Sequence, residues 1–165
     1  MGKKPFLSFG LVLFFLLGFT APTSADSIYI PAFEFHYPED DNAVEYDSYR
    51  YLSLLQCPSY KPKMFYAQVM LPDKAQITSM VIFYEDTSWS GNMELNMSRW
   101  NMYSENAQVM ASFSSSGYSP SYMAEKVFPI KYSIVDNKGY IYRVRVEFSQ
   151  ATPNVILYGV KINYH

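Results

Sequence analysis

Apolar and polar residues alternate along most of this chain. Tyr140, Tyr142, Val144, Val146 and Phe148 take every second position, against Ile141, Arg143, Arg145 and Glu147. A period of two marks a strand with one buried and one wet face. Ile156, Tyr158, Val160, Ile162 and Tyr164 repeat the pattern against Leu157, Gly159, Lys161 and Asn163, and Met93, Leu95 and Met97 repeat it against Glu94, Asn96 and Ser98. Strand-like composition also fills 28–36, 48–54, 65–71, 77–86, 108–113 and 123–132. The spacing of this set, about nine strands, is that of sandwiches and barrels.

No segment competes as a helix after residue 25. Tyr, Val, Ile and Phe suit a pleated, half-buried surface. Turn signals separate the strands: Pro72-Asp73, Ser90-Gly91-Asn92, Ser116-Gly117, Asn137-Lys138-Gly139 and Pro153-Asn154. Pro31 and Pro129 each remove a ladder donor, so their segments are predicted to be edges or to carry bulges. The unbroken run Met80–Tyr84 predicts a central strand covered on both faces. The prediction is an all-β, antiparallel, jelly-roll-like sandwich, with Tyr142, Val144, Val146, Tyr158, Val160 and Ile162 facing inward. A transmembrane barrel fits less well. The segment 123–132 carries Glu125, Lys126, Lys131 and Pro129, which interrupt the apolar band that lipid requires.

The first 25 residues read differently. Lys3 and Lys4 precede an uncharged apolar run from Phe6 to Phe19, which spans 14 residues. That is short of the roughly 20 that cross a bilayer. Pro22 and then Thr23-Ser24-Ala25 follow, as at a signal-peptidase site, so residues 1–25 are expected to be a cleaved signal peptide. The expectation is a secreted or periplasmic protein with no membrane span after cleavage. Residues 26–165 then form one domain, with enough chain for one sound core. Without Lys3 and Lys4 the formal charge falls from −2 to −4. A nucleic-acid partner is therefore not expected. With 49% hydrophobic and 17% charged residues, the chain is too apolar to be disordered.

Conventional chemistry is sparse. The single cysteine, Cys57, cannot close an intrachain disulfide and either bridges chains or acts as a small apolar residue at a strand end. His36 and His165 are the two histidines, and nothing in the sequence brings His36 to Cys57 as a nucleophilic pair. There is no glycine-rich phosphate loop.

Four stretches carry a resemblance. They are Tyr29-Ile30-Pro31-Ala32-Phe33, Ile77-Thr78-Ser79 running into Phe83-Tyr84-Glu85-Asp86, Ile134-Val135-Asp136-Asn137 followed by Tyr140-Ile141-Tyr142 and Val144, and Leu157–Tyr164. Together they resemble uncharacterised secreted bacterial proteins with a single β-sandwich domain. The resemblance implies a sandwich and export, and it brings no catalytic residue.

Two features rise above background. The first is the acidic stretch 39–47, in which Asp40, Asp41, Glu45 and Asp47 are candidate calcium ligands. No other cofactor is expected. The second is aromatic content, 18% of the chain. Trp89 stands among Ser88, Ser90, Gly91 and Asn92 in a loop, where folding has no general need for a large ring. Asp86, Asn92 and Trp89 are the candidate ligand-binding residues, with Trp100 and Tyr103 expected on the same rim. The preferred function is an extracellular binding or surface-interaction module with no catalytic residues; the sequence does not name its ligand, for which a glycan is one candidate. The alternatives are a secreted hydrolase using Glu85, Asp86, Asp40 or Asp41, and a structural subunit that oligomerises through its sheets.

Overall fold

A computed structural model describes residues 25–36, 50–51, 54–57, 63–89, 91–104, 106–115, 119–149 and 152–165. The strands are β1 (Asp26–Pro31), β2 (Arg50–Tyr51), β3 (Leu54–Cys57), β4 (Lys63–Val69), β5 (Ile77–Asp86), β6 (Met93–Asn101), β7 (Ala107–Ser114), β8 (Ser119–Val127), β9 (Tyr140–Phe148) and β10 (Thr152–Tyr164). They form two antiparallel sheets. One has the order β4-β9-β6-β7, and the other β2-β3-β10-β5-β8 with β1 also on β10. Strands β3 to β10 alone give two sheets of four, β3-β10-β5-β8 and β4-β9-β6-β7. Of the connections between them, only β6–β7 joins neighbours in one sheet. This is the predicted jelly-roll sandwich. Strand β10 is long enough to pair with both β3 and β1 along one edge while β5 occupies the other.

The core lies between the sheets. Phe65, Ala67, Leu95, Met97, Tyr142, Val144, Val146 and Phe148 come from one side, and Met80, Ile82, Leu157, Val160 and Ile162 from the other; all are buried. Burial of each large apolar side chain contributes roughly 1.5–3 kcal/mol. Phe65 meets Phe148 edge-on at 6.1 Å, and Tyr84 meets Phe113 at 5.0 Å. Both pairs are T-shaped, as the ring quadrupoles favour.

Four expectations are corrected. The segment 28–36 is not one strand. Pro31 ends β1, the short 3-10 turn Ala32–Glu34 follows, and His36 exchanges backbone hydrogen bonds with Tyr66 in the other sheet at 2.7 and 2.8 Å. The run 48–54 is split between β2 and β3. The segment 123–132 ends as a strand at Val127, before Pro129, and the Lys131 N–H donates instead to Met110 of the opposite sheet at 2.9 Å.

The fourth correction matters most. Tyr158 does not face the core. Leu157 pairs with Tyr84 and Gly159 with Phe83, so Tyr158 is the extra residue of a β-bulge. The bulge reverses the alternation. Leu157 is buried on one side of it and Val160 on the other, while Tyr158 turns to the outer face. Glycine is required beside it, because a Cβ on residue 159 would collide with the Tyr29 hydroxyl and approach the Ile30 carbonyl oxygen to 2.8 Å.

Candidate functional site

The predicted site residues do not converge. Strand β6 separates Trp89, before its start, from Trp100 and Tyr103, at and beyond its end. Nine extended residues span about 30 Å, so the expectation of one shared rim is wrong. Trp89 is 86% exposed and Tyr103 is 84% exposed, at opposite ends of the sandwich. Trp100 lies on the outer face of the four-stranded sheet. There the Arg143 guanidinium stacks over its ring at 4.8 Å, and its indole N–H donates to Ser98 Oγ at 3.2 Å.

Asp86 is fully buried. Its Oδ2 accepts from Ser115 Oγ at 2.6 Å and its Oδ1 from the Ser88 N–H at 3.0 Å. Ser115 Oγ also accepts from the Met93 N–H, and Ser88 Oγ from the Gly91 N–H, each at 2.9 Å. Asp86 is therefore the internal anchor of the Trp89 loop and does not face a ligand. Asn92 is exposed, and its backbone N–H and C=O are both bonded to Ser149 Oγ. Glu85 points the other way from Asp86, so the two carboxylates cannot act together on one substrate. Asp40, Asp41, Glu45 and Asp47 lie outside the described residues. Among the described residues no three His, Cys, Asp or Glu side chains are grouped to hold a metal ion, and no helix is long and apolar enough to cross a membrane.

What the fold does assemble is a group of rings on the outer face of the six-stranded sheet. Phe83 of the central strand β5 projects outward between the buried Ile82 and Tyr84. Tyr29 from β1 meets it edge-on at 5.8 Å. Tyr122 from β8 stacks on its other side, with centroids 6.2 Å apart and planes 23° apart. Tyr122 also meets Tyr158 of β10 at 5.3 Å. Tyr29 and Tyr122 remain 53% and 55% exposed. Four strands thus present four touching rings on one rigid surface. Cross-strand aromatic pairs explain part of this, since they stabilise a sheet. A contiguous open apolar patch is the kind of surface at which proteins meet ligands or partners.

Polar groups rim the rings. Tyr158 Oη donates to Glu85 Oε2 at 3.0 Å, and Tyr29 Oη donates to the Tyr158 carbonyl at 3.2 Å. Burial raises both phenols above their ordinary value, and the Glu85 carboxylate raises Tyr158 further. Both hydroxyls therefore remain protonated donors at neutral pH. Past the end of β5 the burial alternation continues through Thr87 and buried Ser88 to open Trp89, on the same parity as Phe83 and Glu85.

Sequence reading missed this cluster. The signal was available in Tyr29 and Tyr122, which occupy strand positions where a wet face would carry polar residues. The bulge that turns Tyr158 outward has only Gly159 as its trace.

No protein-family model and no curated protein sequence matches the chain. Among solved structures, it is similar to the Clostridium thermocellum N-terminal endo-1,4-β-D-xylanase 10B, in a crystal structure of its CBM22-1–GH10 modules complexed with xylohexaose. The TM-score is 0.38 at 11% sequence identity, and the match covers 86% of this chain and 28% of that one. The match therefore spans under a third of that structure's length.

Proposed function

We propose that this chain is a binding module that holds carbohydrate on the outer face of its six-stranded sheet. The observation that carries the reading is the row Tyr29, Phe83, Tyr122 and Tyr158 on four adjacent strands, with Glu85 and two phenol hydroxyls at its rim. A pyranose ring has an apolar C–H face and a rim of hydroxyls. Aromatic rings match the face, and the remaining lone pairs of the Glu85 carboxylate and the two phenol oxygens match the rim, since they accept from sugar hydroxyls. Neighbouring strands of a hydrogen-bonded sheet fix the rings in place, so little ordering cost falls on binding. Trp89, open in the loop just past the end of β5, is a further ring available to a ligand.

The test is a glycan array probed with residues 26–165 and with Tyr122→Ala and Trp89→Ala. A stacking ring contributes roughly 1 kcal/mol beyond area burial. Tyr122→Ala is expected to weaken binding about tenfold while lowering the melting temperature by only a few degrees, and Trp89→Ala to weaken it several-fold with the melting temperature nearly unchanged. Failure to bind any glycan, or full binding by Tyr122→Ala, refutes the reading.

A further inference from the structure

The ring row has a charged neighbour that its stacking role does not require. In the register of the six-stranded sheet, Val81 of β5 lies opposite Lys126 of β8 on one side and Lys161 of β10 on the other, and Lys161 in turn lies opposite Tyr29 of β1. Directly opposed residues of antiparallel strands project to the same face. Met80 and Ile82 are fully buried, so Val81 and its two flanking lysines project outward, as Phe83 does. Lys126, Val81, Lys161 and Tyr29 thus form one cross-strand row beside the row that contains Phe83. Two strand spacings separate the lysine Cα atoms, about 10 Å. That lets two flexible side chains converge on one small anion above Val81.

Neither ammonium has an ion pair with a described residue. Lys126 Nζ lies 5.7 Å from the centre of the exposed Phe128 ring. Among the described residues the one ion pair, Arg145 with Glu147 at 3.5 Å, belongs to the other sheet. The nearby carboxylate on this face, Glu85, lies four residues along β5 from Val81 and is engaged with Tyr158. The face is therefore polarised, with cations at one end of the ring row and a carboxylate at the other. On a chain of net negative charge, two lysines with no ion pair among the described residues give this end of the ring face a local positive charge.

We infer that the ligand is a largely neutral glycan bearing an isolated carboxylate, a uronate side group, whose sugar rings lie on Tyr29, Phe83 and Tyr122 while the carboxylate sits between Lys126 and Lys161. This rests on the carbohydrate reading above and narrows its ligand class. Two lysines can hold one carboxylate between them, with charge to spare. They do not suit a densely sulfated polymer, which the acidic chain would repel. Glu85 at the far end of the row excludes a second anion there and orients the strand.

The experiment pairs each uronate-bearing glycan with the same glycan after reduction of its carboxyls to alcohols, adds a polysulfated polymer as a third arm, and uses the wild type, Lys126→Ala, Lys161→Ala and the double variant. The inference expects at least tenfold tighter binding of the acid form. Each single lysine variant loses several-fold, and the double variant binds acid and reduced forms alike, with melting temperatures unchanged. Affinity for the acid form falls with added salt, and that for the reduced form does not. Equal wild-type binding of acid and reduced forms overturns the uronate inference alone and leaves the carbohydrate reading standing. Preference for the polysulfate overturns it too. Binding of no glycan in any arm overturns both.

Discussion

The two outer faces of this sandwich solve the same problem differently. The four-stranded sheet turns Glu94, Asn96, Ser98, Arg143, Arg145 and Glu147 to water, the ordinary partner of a buried inner face. Three of its charges are engaged locally, with Arg145 against Glu147 and Arg143 over Trp100. The six-stranded sheet turns Tyr29, Phe83, Tyr122 and Tyr158 outward instead. Both sheets already have a complete inner face, so stability does not demand the second arrangement. The contrast teaches that departure from polar-out alternation on one face, rather than the aromatic content of the whole chain, singles out the surface on which the proposed binding rests.

The first way to break the comparison is to damage what both faces share. Val144→Asp buries a charge at a fully buried site of β9 and is expected to cost roughly 3–5 kcal/mol, read by chemical denaturation. A cost below about 1 kcal/mol would show that the inner and outer faces of β9 are misassigned. Next, Gly159→Ala pushes a methyl into the Tyr29 hydroxyl and toward the Ile30 carbonyl. It should cost about 1–3 kcal/mol and move Tyr29 off the ring row, so glycan binding falls along with stability. Tyr122→Ala removes two ring contacts on the open face and should cost about 1 kcal/mol in stability. Arg143→Ala should cost about 0.5 kcal/mol and leave glycan binding untouched. If Arg143→Ala abolished binding while Tyr122→Ala did not, the roles of the two faces would be reversed.

Much of the fold was legible because period-two alternation records burial directly. Tyr142, Val144, Val146, Val160 and Ile162 all face inward as their spacing predicts. Pro31 and Pro129 mark the two places where a predicted strand stops early, and missing N–H donors supply the reason. The site was less legible. Trp89 is open, as a lone ring among small polar residues suggested. Asp86 was misjudged, because a carboxylate beside a loop reads as exposed while its partners Ser88 and Ser115 come from the loop and from the residue just past β7. Tyr158 was misplaced because one extra residue in a strand inverts every side chain beyond it, and alternation counted from Ile162 backward passes through the bulge unaware. The ring row itself is a property of strand order. Tyr29 and Tyr158 lie 129 positions apart and meet only because β1 pairs with the end of β10.

The most direct test is an NMR titration of the isotopically labelled domain with the tightest-binding soluble oligosaccharide from the array. The account predicts saturable shifts centred on Tyr29, Phe83, Glu85, Tyr122 and Tyr158, with Arg143, Arg145 and Trp100 unmoved. Shifts confined to the four-stranded face, or none at saturating oligosaccharide, would contradict it.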